Sequence, residues 1–177
     1  MQYTNLYRSP LGDITLAIDG EGLTGLWFNE QKYFAATLAT EHEQGDLPLF
    51  AQTKRWLDTY FHGENPEFTP PLSPKGSAFR LAVWDILRAI PYGQVVSYGE
   101  IAKQLAARRG LETMSSQAVG GAVAHNPISI IVPCHRVVGT SGSLTGYAGG
   151  IEKKVQLLAL EKANMDELYV PKKGTAL

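Results

Sequence analysis

The run Ile128-Ser129-Ile130-Ile131-Val132-Pro133-Cys134-His135-Arg136-Val137-Val138 contains the only thiol of the chain. An apolar stretch stops at a proline and is followed at once by a cysteine, a histidine and an arginine. A thiol attacks well only as thiolate, and neighbouring cationic or basic groups favour that form. Many lone cysteines are simply small buried hydrophobes. This one sits beside two polar side chains and ahead of a flexible loop, and reads as a nucleophile. The loop, residues 139–150, has five glycines in twelve positions, so its backbone must pass close to something. Tyr147 in it, flanked by Gly146 and Ala148, could wall a flat ligand or cover the core.

A second chemical group follows on the next helix. Ile151, Val155, Leu157 and Leu158 define its apolar face, and Glu161 lies three and four residues beyond Leu158 and Leu157 on that face. A carboxylate buried there needs a partner. His135 and Arg136 both qualify, and water at the helix end is the alternative. A histidine oriented by a carboxylate and adjacent to a nucleophile follows the logic of a catalytic triad. The glycine loop lacks a Gly-Lys-Ser/Thr ending and no dinucleotide fingerprint fits, so nucleotide-binding readings fall.

The elements that must hold these groups divide at Pro66–Pro74, where four prolines in nine residues predict an extended linker. Before it, Gln2–Arg8, Ile14–Ile18 and Leu23–Phe28 read as strands of a meander, and Phe50, Thr53, Leu57, Tyr60 and Phe61 recur at helical spacing up to His62-Gly63. After it, Ser77 is a natural N-cap for a helix burying Phe79, Val83, Ile86, Leu87 and Ile90. Ser97-Tyr98-Gly99-Glu100 fits a capping box, and a third helix starts at Ser115 or Ser116 and stops at His125-Asn126-Pro127. Two short helices joined by a turn, after a longer one, suggest a helix-turn-helix.

Composition bounds the rest. With 177 residues, 44% hydrophobic and 19% charged, the chain is an ordinary globular one, not a disordered, collagen-like or coiled-coil sequence. One cysteine permits neither an intramolecular disulfide nor a zinc site of Cys type. No apolar run reaches 18 residues and no signal pattern opens the chain, so a soluble cytoplasmic protein with no membrane contact is expected. Residues 1–74 carry four basic against ten acidic side chains, a net −6; residues 75–177 carry twelve against seven, a net +5. That asymmetry suggests that the second half meets an anion.

The stretches from Asn126 to Arg136, Gly146-Tyr147-Ala148-Gly149-Gly150 and Leu157-Leu158-Ala159-Leu160-Glu161 resemble the methylated-DNA–protein-cysteine methyltransferases, the alkylguanine-DNA alkyltransferases of bacterial constitutive type. Phe79–Trp84, Ile90–Tyr98 and Ala118–Ala122 carry the same resemblance, which is dense and in order over residues 77–161. It implies an α+β fold: residues 1–74 form a ribonuclease-H-like α/β domain with a three-stranded antiparallel sheet, plus the linker. Residues 75–177 form a mostly helical, winged-helix-like domain that binds DNA and accepts the alkyl group.

The resemblance also implies a function. Double-stranded DNA would be bound through the minor groove, by a monomer, and an alkylated guanine (or thymine) flipped into a pocket, because the target atom is inaccessible within the stack. The alkyl group would pass from the exocyclic oxygen to Cys134, once per molecule, with no metal or cofactor. His135 would take the thiol proton through a water, Glu161 would orient it, and Tyr98 would hydrogen-bond the purine ring. Backbone groups of Val132, Cys134 and Ala148 would read the base edge, with Tyr147 as a wall and Asn126 bracing the junction with the recognition helix. Gln117, Ala118, Gly120 and Gly121 would face DNA, and Arg108 and Arg109 would attract phosphates. Where the family carries an arginine that fills the vacated stack, this chain has Gln117. The turn before it is also about a residue longer. The competing readings are a non-catalytic sensor of alkyl lesions, in which the cysteine is replaced, and a cysteine hydrolase, for which no oxyanion motif is evident. The tail Tyr169–Lys173 could add positive charge or stay without order.

Overall fold

The computed structural model describes residues 1–171, so the reading of Lys172 and Lys173 as added charge lies outside the described residues. The chain divides into two compact units. One comprises residues 1–76 together with Pro127–Ile131; the other comprises 77–126 and the chain from Val132 onward.

In the first unit, β1 (Gln2–Ser9), β2 (Gly12–Ile18) and β3 (Leu23–Phe28) form the antiparallel meander that the alternation implies. Asp19 closes the second turn by accepting from the backbone N–H groups of Glu21 and Gly22. The sheet has four strands, however, not three: β4 (His42–Gln44) pairs parallel to β1 and gives the order β3-β2-β1-β4. Three exposed polar residues carry no alternation that a sequence reading could detect, and only backbone pairing makes them a strand. Helix α1 (Pro48–Phe61) begins with its proline in the first turn and buries Phe50, Thr53, Trp56, Leu57 and Tyr60 against β1 and β2.

The outer edge of β3 is covered rather than left open. Leu23 donates to Pro71 O at 2.8 Å and accepts from Ser73 N at 2.7 Å, so the proline-rich segment is extended, as its composition dictates, and is also hydrogen-bonded. Leu26 likewise donates to Pro127 O and accepts from Ser129 N. The backbone N–H and C=O of both leucines can point to the outer edge because the ladder slips between Ala17 and Ile18, leaving Thr24 as an extra residue that resets the alternation. An edge so occupied cannot recruit another strand.

In the second unit the serine caps act as their positions imply. Ser77, Ser97 and Ser115 accept from Arg80, Glu100 and Ala118 N–H and open α2 (Ala78–Arg88), α3 (Tyr98–Arg108) and α4 (Ser116–Ala124). These three helices pack on one another around Val83, Trp84, Leu87, Ile101, Leu105, Val119 and Val123. Two short strands, β5 (Val96–Ser97) and β6 (Val137–Val138), pair in parallel beside them. Helix α5 (Ile151–Leu160) completes the unit. The chain beyond α5 is tied down as far as Tyr169, which donates to Gly142 O and accepts from Leu144 N. Among the described residues no helix is long and apolar enough to cross a membrane.

One side chain joins α2 to α4. Trp84 is 2% exposed and its Nε1–H donates to Ala122 O at 2.8 Å, satisfying one of the last four carbonyls of α4, which have no partner within their own helix. Trp84→Phe orphans that carbonyl and also trims the buried ring, so it should cost at least about 1–3 kcal/mol in chemical denaturation. A loss under about 0.5 kcal/mol would show that water replaces the indole.

Candidate active site

Two tight turns deliver the cysteine. In the first, Ile131 N–H reaches back to Ser129 O at 2.8 Å around Ile130, whose φ is +70°. A β-branched residue there is strained, at a cost of roughly 1–3 kcal/mol, and persists only where its surroundings fix it. In the second, Cys134 N–H reaches back to Val132 O at 2.8 Å around Pro133, whose φ of −83° and ψ of 66° suit a proline ring. Asn126 braces this turn by donating from Nδ2 to the same Val132 oxygen at 2.8 Å. Both lone pairs of that oxygen are therefore used, and Val132 serves the loop as an anchor. A single 3₁₀ turn then carries Cys134, His135 and Arg136, all buried.

Glu161, the C-cap of α5, turns its carboxylate to both sequence-derived partners at once. Its Oε2 lies 2.6 Å from His135 Nε2, while Arg136 donates from Nε to Oε1 at 2.7 Å and from Nη2 to Oε2 at 3.1 Å. Burial pushes Glu161 up, but the hydrogen bonds from His135 and Arg136 and the Arg136 charge outweigh it and hold the carboxyl well below the usual carboxylate range. Burial pulls His135 down, with the charges of Arg136 and Lys154 acting the same way and Glu161 opposing them. A neutral imidazole beside an ionised carboxylate must carry its proton on Nε2. Nδ1 is then a lone pair, buried and without a hydrogen-bond partner among the described residues.

The thiol is 4% exposed. Burial pushes the Cys134 thiol up, against the pull of the Asn126 side chain and the Lys154 ammonium. The resting group is a thiol, and it becomes a nucleophile as its proton leaves. Tyr98, at the first position of α3, is also buried, and burial together with Cys134 holds its phenol well above the usual range. Its hydroxyl donates weakly to Thr145 O at 3.3 Å and Gly146 O at 3.4 Å. In the glycine loop Gly142, Gly146 and Gly150 take positive φ, and Tyr147 stands edge-on to His135 with ring centroids 6.4 Å apart. Ala148 follows at half-exposed depth.

On α4 the structure separates the DNA-facing candidates. Gln117, Ala118 and Gly121 are exposed, whereas Gly120 is buried with Val119 on the opposite face. Arg108 pairs with Asp85 at 2.9 Å, and Arg109 lies over the Phe79 ring at 5.3 Å, both at the exposed end of α3.

One functional side chain escaped the sequence reading. Lys154 is fully buried, donating to Val137 O at 2.6 Å and Thr145 O at 2.8 Å, and burial lowers its pKa to about 8. It therefore pins the glycine loop to β6. Its spacing from Ile151, Leu157 and Leu158 was the available signal, but a lysine ordinarily marks a solvated face. Among the described residues no group of three or more His, Cys, Asp or Glu is arranged to hold a metal ion.

Residues 2–74 match the ribonuclease-like domain and residues 78–163 the DNA binding domain of the 6-O-methylguanine DNA methyltransferase family. The chain is 42% identical over 161 residues to the methylated-DNA–protein-cysteine methyltransferase of Haemophilus influenzae, covering 90% of this chain and 86% of that one. It is 47% identical over 155 residues to the protein of that name from Mycobacterium bovis, covering 88% and 89%. The crystal structure of Mycobacterium tuberculosis OGT in complex with DNA superposes with a TM-score of 0.79 at 45% identity, covering 90% and 92%.

Glu161→Gln tests the electrostatics of the cluster. It leaves the Arg136 charge buried without its counterion, so stability at pH 7 should fall by about 3–5 kcal/mol. A carboxyl with a depressed folded-state pKa contributes stability that is complete above its unfolded value and lost as pH falls. The deficit of the variant should therefore shrink on acidification below about pH 4, as followed by denaturant titration. A deficit constant between pH 7 and 3 would show that shape, not charge, holds the cluster.

Proposed function

The chain belongs to the 6-O-methylguanine DNA methyltransferase family, and from that premise we propose that it reverses alkylation damage by moving the alkyl group of an alkylated guanine in duplex DNA to Cys134. The bond between the exocyclic guanine oxygen and the alkyl carbon breaks as the Cys134 Sγ–carbon bond forms. The thiol proton passes to His135 Nδ1, directly or through a water. Guanine leaves as an anion, which the Tyr98 hydroxyl stabilises by turning from the loop carbonyls to the purine ring. The thioether is not reversed, so each molecule reacts once. We assign residues 1–74 to the ribonuclease-like domain and linker and 75–177 to the DNA-binding and acceptor domain. A thiol that must stay reduced until use suits the cytoplasm.

The observation that carries this reading is the fixed tautomer of His135. With Nε2 committed to an ionised Glu161, the imidazole nitrogen left to take the thiol proton is Nδ1. Incubation with duplex DNA containing O6-methylguanine should add one methyl group to the Cys134 peptide in mass spectrometry. Cys134→Ser should add none while still binding the damaged duplex. Binding by the unsubstituted chain without methyl gain would make it a lesion sensor, and turnover of an ester or amide would make it a hydrolase.

The DNA face is supported by a glycine without an internal reason. A Cβ at Gly121 would meet nothing within 4 Å, yet a mid-helix glycine costs roughly 0.5–1 kcal/mol relative to alanine. Close approach of a sugar-phosphate backbone supplies the missing reason, with Gln117 and Ala118 beside it. Gln117 would fill the gap left by the flipped base by length and hydrogen bonding, without the charge of an arginine. Arg108 can turn to phosphate cheaply, since an exposed pair such as Arg108–Asp85 contributes at most about 1 kcal/mol. Gly121→Ala should raise stability by about 0.5–1 kcal/mol while weakening duplex binding. Unchanged or tighter binding would move DNA to another face.

A further inference from the structure

The segment Ile90-Pro91-Tyr92-Gly93 takes no part in the transfer chemistry, yet it touches both members of the buried ion pair. Arg136 Nη1 donates to Ile90 O at 2.7 Å, and its guanidinium lies over the Tyr92 ring, 5.7 Å from the centroid. Gly93 N–H donates to Glu161 Oε1 at 3.2 Å. Gly93 itself has φ +77°, and a Cβ there would come within 3.0 Å of Glu161 O, so the turn needs glycine to come this close. One turn thus holds Arg136 from one side and Glu161 from the other.

The same carboxylate serves two partners of different kinds. Arg136 is permanently charged and grips both oxygens; His135 is titratable and shares Oε2. A lone buried carboxylate beside a histidine favours imidazolium, which has no lone pair to accept a proton. We propose that Arg136, gripped by the 90–93 turn, is a positioning residue that keeps His135 an uncharged proton acceptor by neutralising the carboxylate that orients it. This rests on the repair reading. It adds that the imidazolium forms only as the Cys134 proton arrives, with Glu161 already placed to receive its charge.

The other groups facing His135 are consistent with this division. From α5 come Glu161 and Lys154, and from its own turn Arg136 and Cys134. Tyr147 faces it from the glycine loop, while Tyr98 of α3 faces Cys134 and Tyr92 faces Arg136. Burial opposes imidazolium most, Glu161 favours it, and the charges of Arg136 and Lys154 oppose it. Arg136 forms an ion pair with that carboxylate, Nε to Oε1 at 2.7 Å.

The test uses the full chain, nitrogen NMR of His135 without DNA, and methyl transfer from duplex DNA at pH 7 and pH 9. Wild type should show neutral imidazole protonated at Nε2 at pH 7. Arg136→Gln should carry imidazolium at pH 7 and transfer roughly tenfold or more slowly than wild type, with the gap closing to a few-fold at pH 9. Arg136→Lys keeps a charge and should keep His135 neutral, losing less than about tenfold. An equal loss at both pH values in Arg136→Gln, with unchanged His135 signals, would reduce Arg136 to a brace and overturn the proposal. If Arg136→Gln does not fold, wild type and Arg136→Lys decide: neutral His135 in both upholds it, and imidazolium at pH 7 in either overturns it. Absence of transfer by wild type would sink the repair reading instead, because the charge on His135 is read without DNA.

Discussion

A carboxylate taken out of water must recover in charge and hydrogen bonds what it loses in solvation, and Glu161, 2% exposed, recovers it from three directions. His135 Nε2, the Arg136 fork and Gly93 N–H all converge on its two oxygens. Each of these bonds fixes something else. The bond to His135 selects a tautomer and leaves Nδ1 bare; the bonds to Arg136 hold a guanidinium that also engages Ile90 O and Tyr92; the bond to Gly93 sets the turn between α2 and β5. Glu161 can occupy this place because it ends α5, where the helix stops and its side chain is no longer one of a stripe.

The acceptor is arranged by backbone as much as by side chains. Cys134 follows a proline turn closed on Val132 O and braced by Asn126. The glycine loop opposite is held by Lys154, whose ammonium bridges Val137 O and Thr145 O, and by Tyr98, which shares the Thr145 carbonyl. That ammonium, bonded to carbonyls among the described residues, places a positive charge near Cys134 that pulls its pKa down against burial. Cys134 and His135 are thus held uncharged, with charged groups around them.

Helix α4 divides its small residues between two tasks. Val119, Gly120, Ala122 and Val123 are buried among α2 and α3, with Trp84 capping a terminal carbonyl from below. Gln117, Ala118 and Gly121 remain outside, and there nothing in the protein requires smallness. The same small residues, Ala and Gly, therefore mean packing on one face and access on the other.

Much of this was written locally. The serine caps at 77, 97 and 115, the helical stripes, the extended proline segment and the polar surroundings of Cys134 all follow from residues within a turn or two of one another. So does the placement of Glu161 on an apolar face. What local pattern could not contain was pairing. Strand β4 is three exposed polar residues made a strand by β1, and Pro71–Ser73 is tied to β3 through backbone groups. Lys154 lay on the apolar stripe, but only packing removed its ammonium from water. Gly120 and Gly121 are the same residue type, and the angular step of the helix alone sends one inward. Glu161 had two candidate partners 25 and 26 residues away in sequence, and the folded chain gave it both, together with a backbone N–H 68 residues away. Sequence determines which groups cannot remain unpaired; tertiary structure decides their partners, because burial removes water from between groups that sequence distance keeps apart.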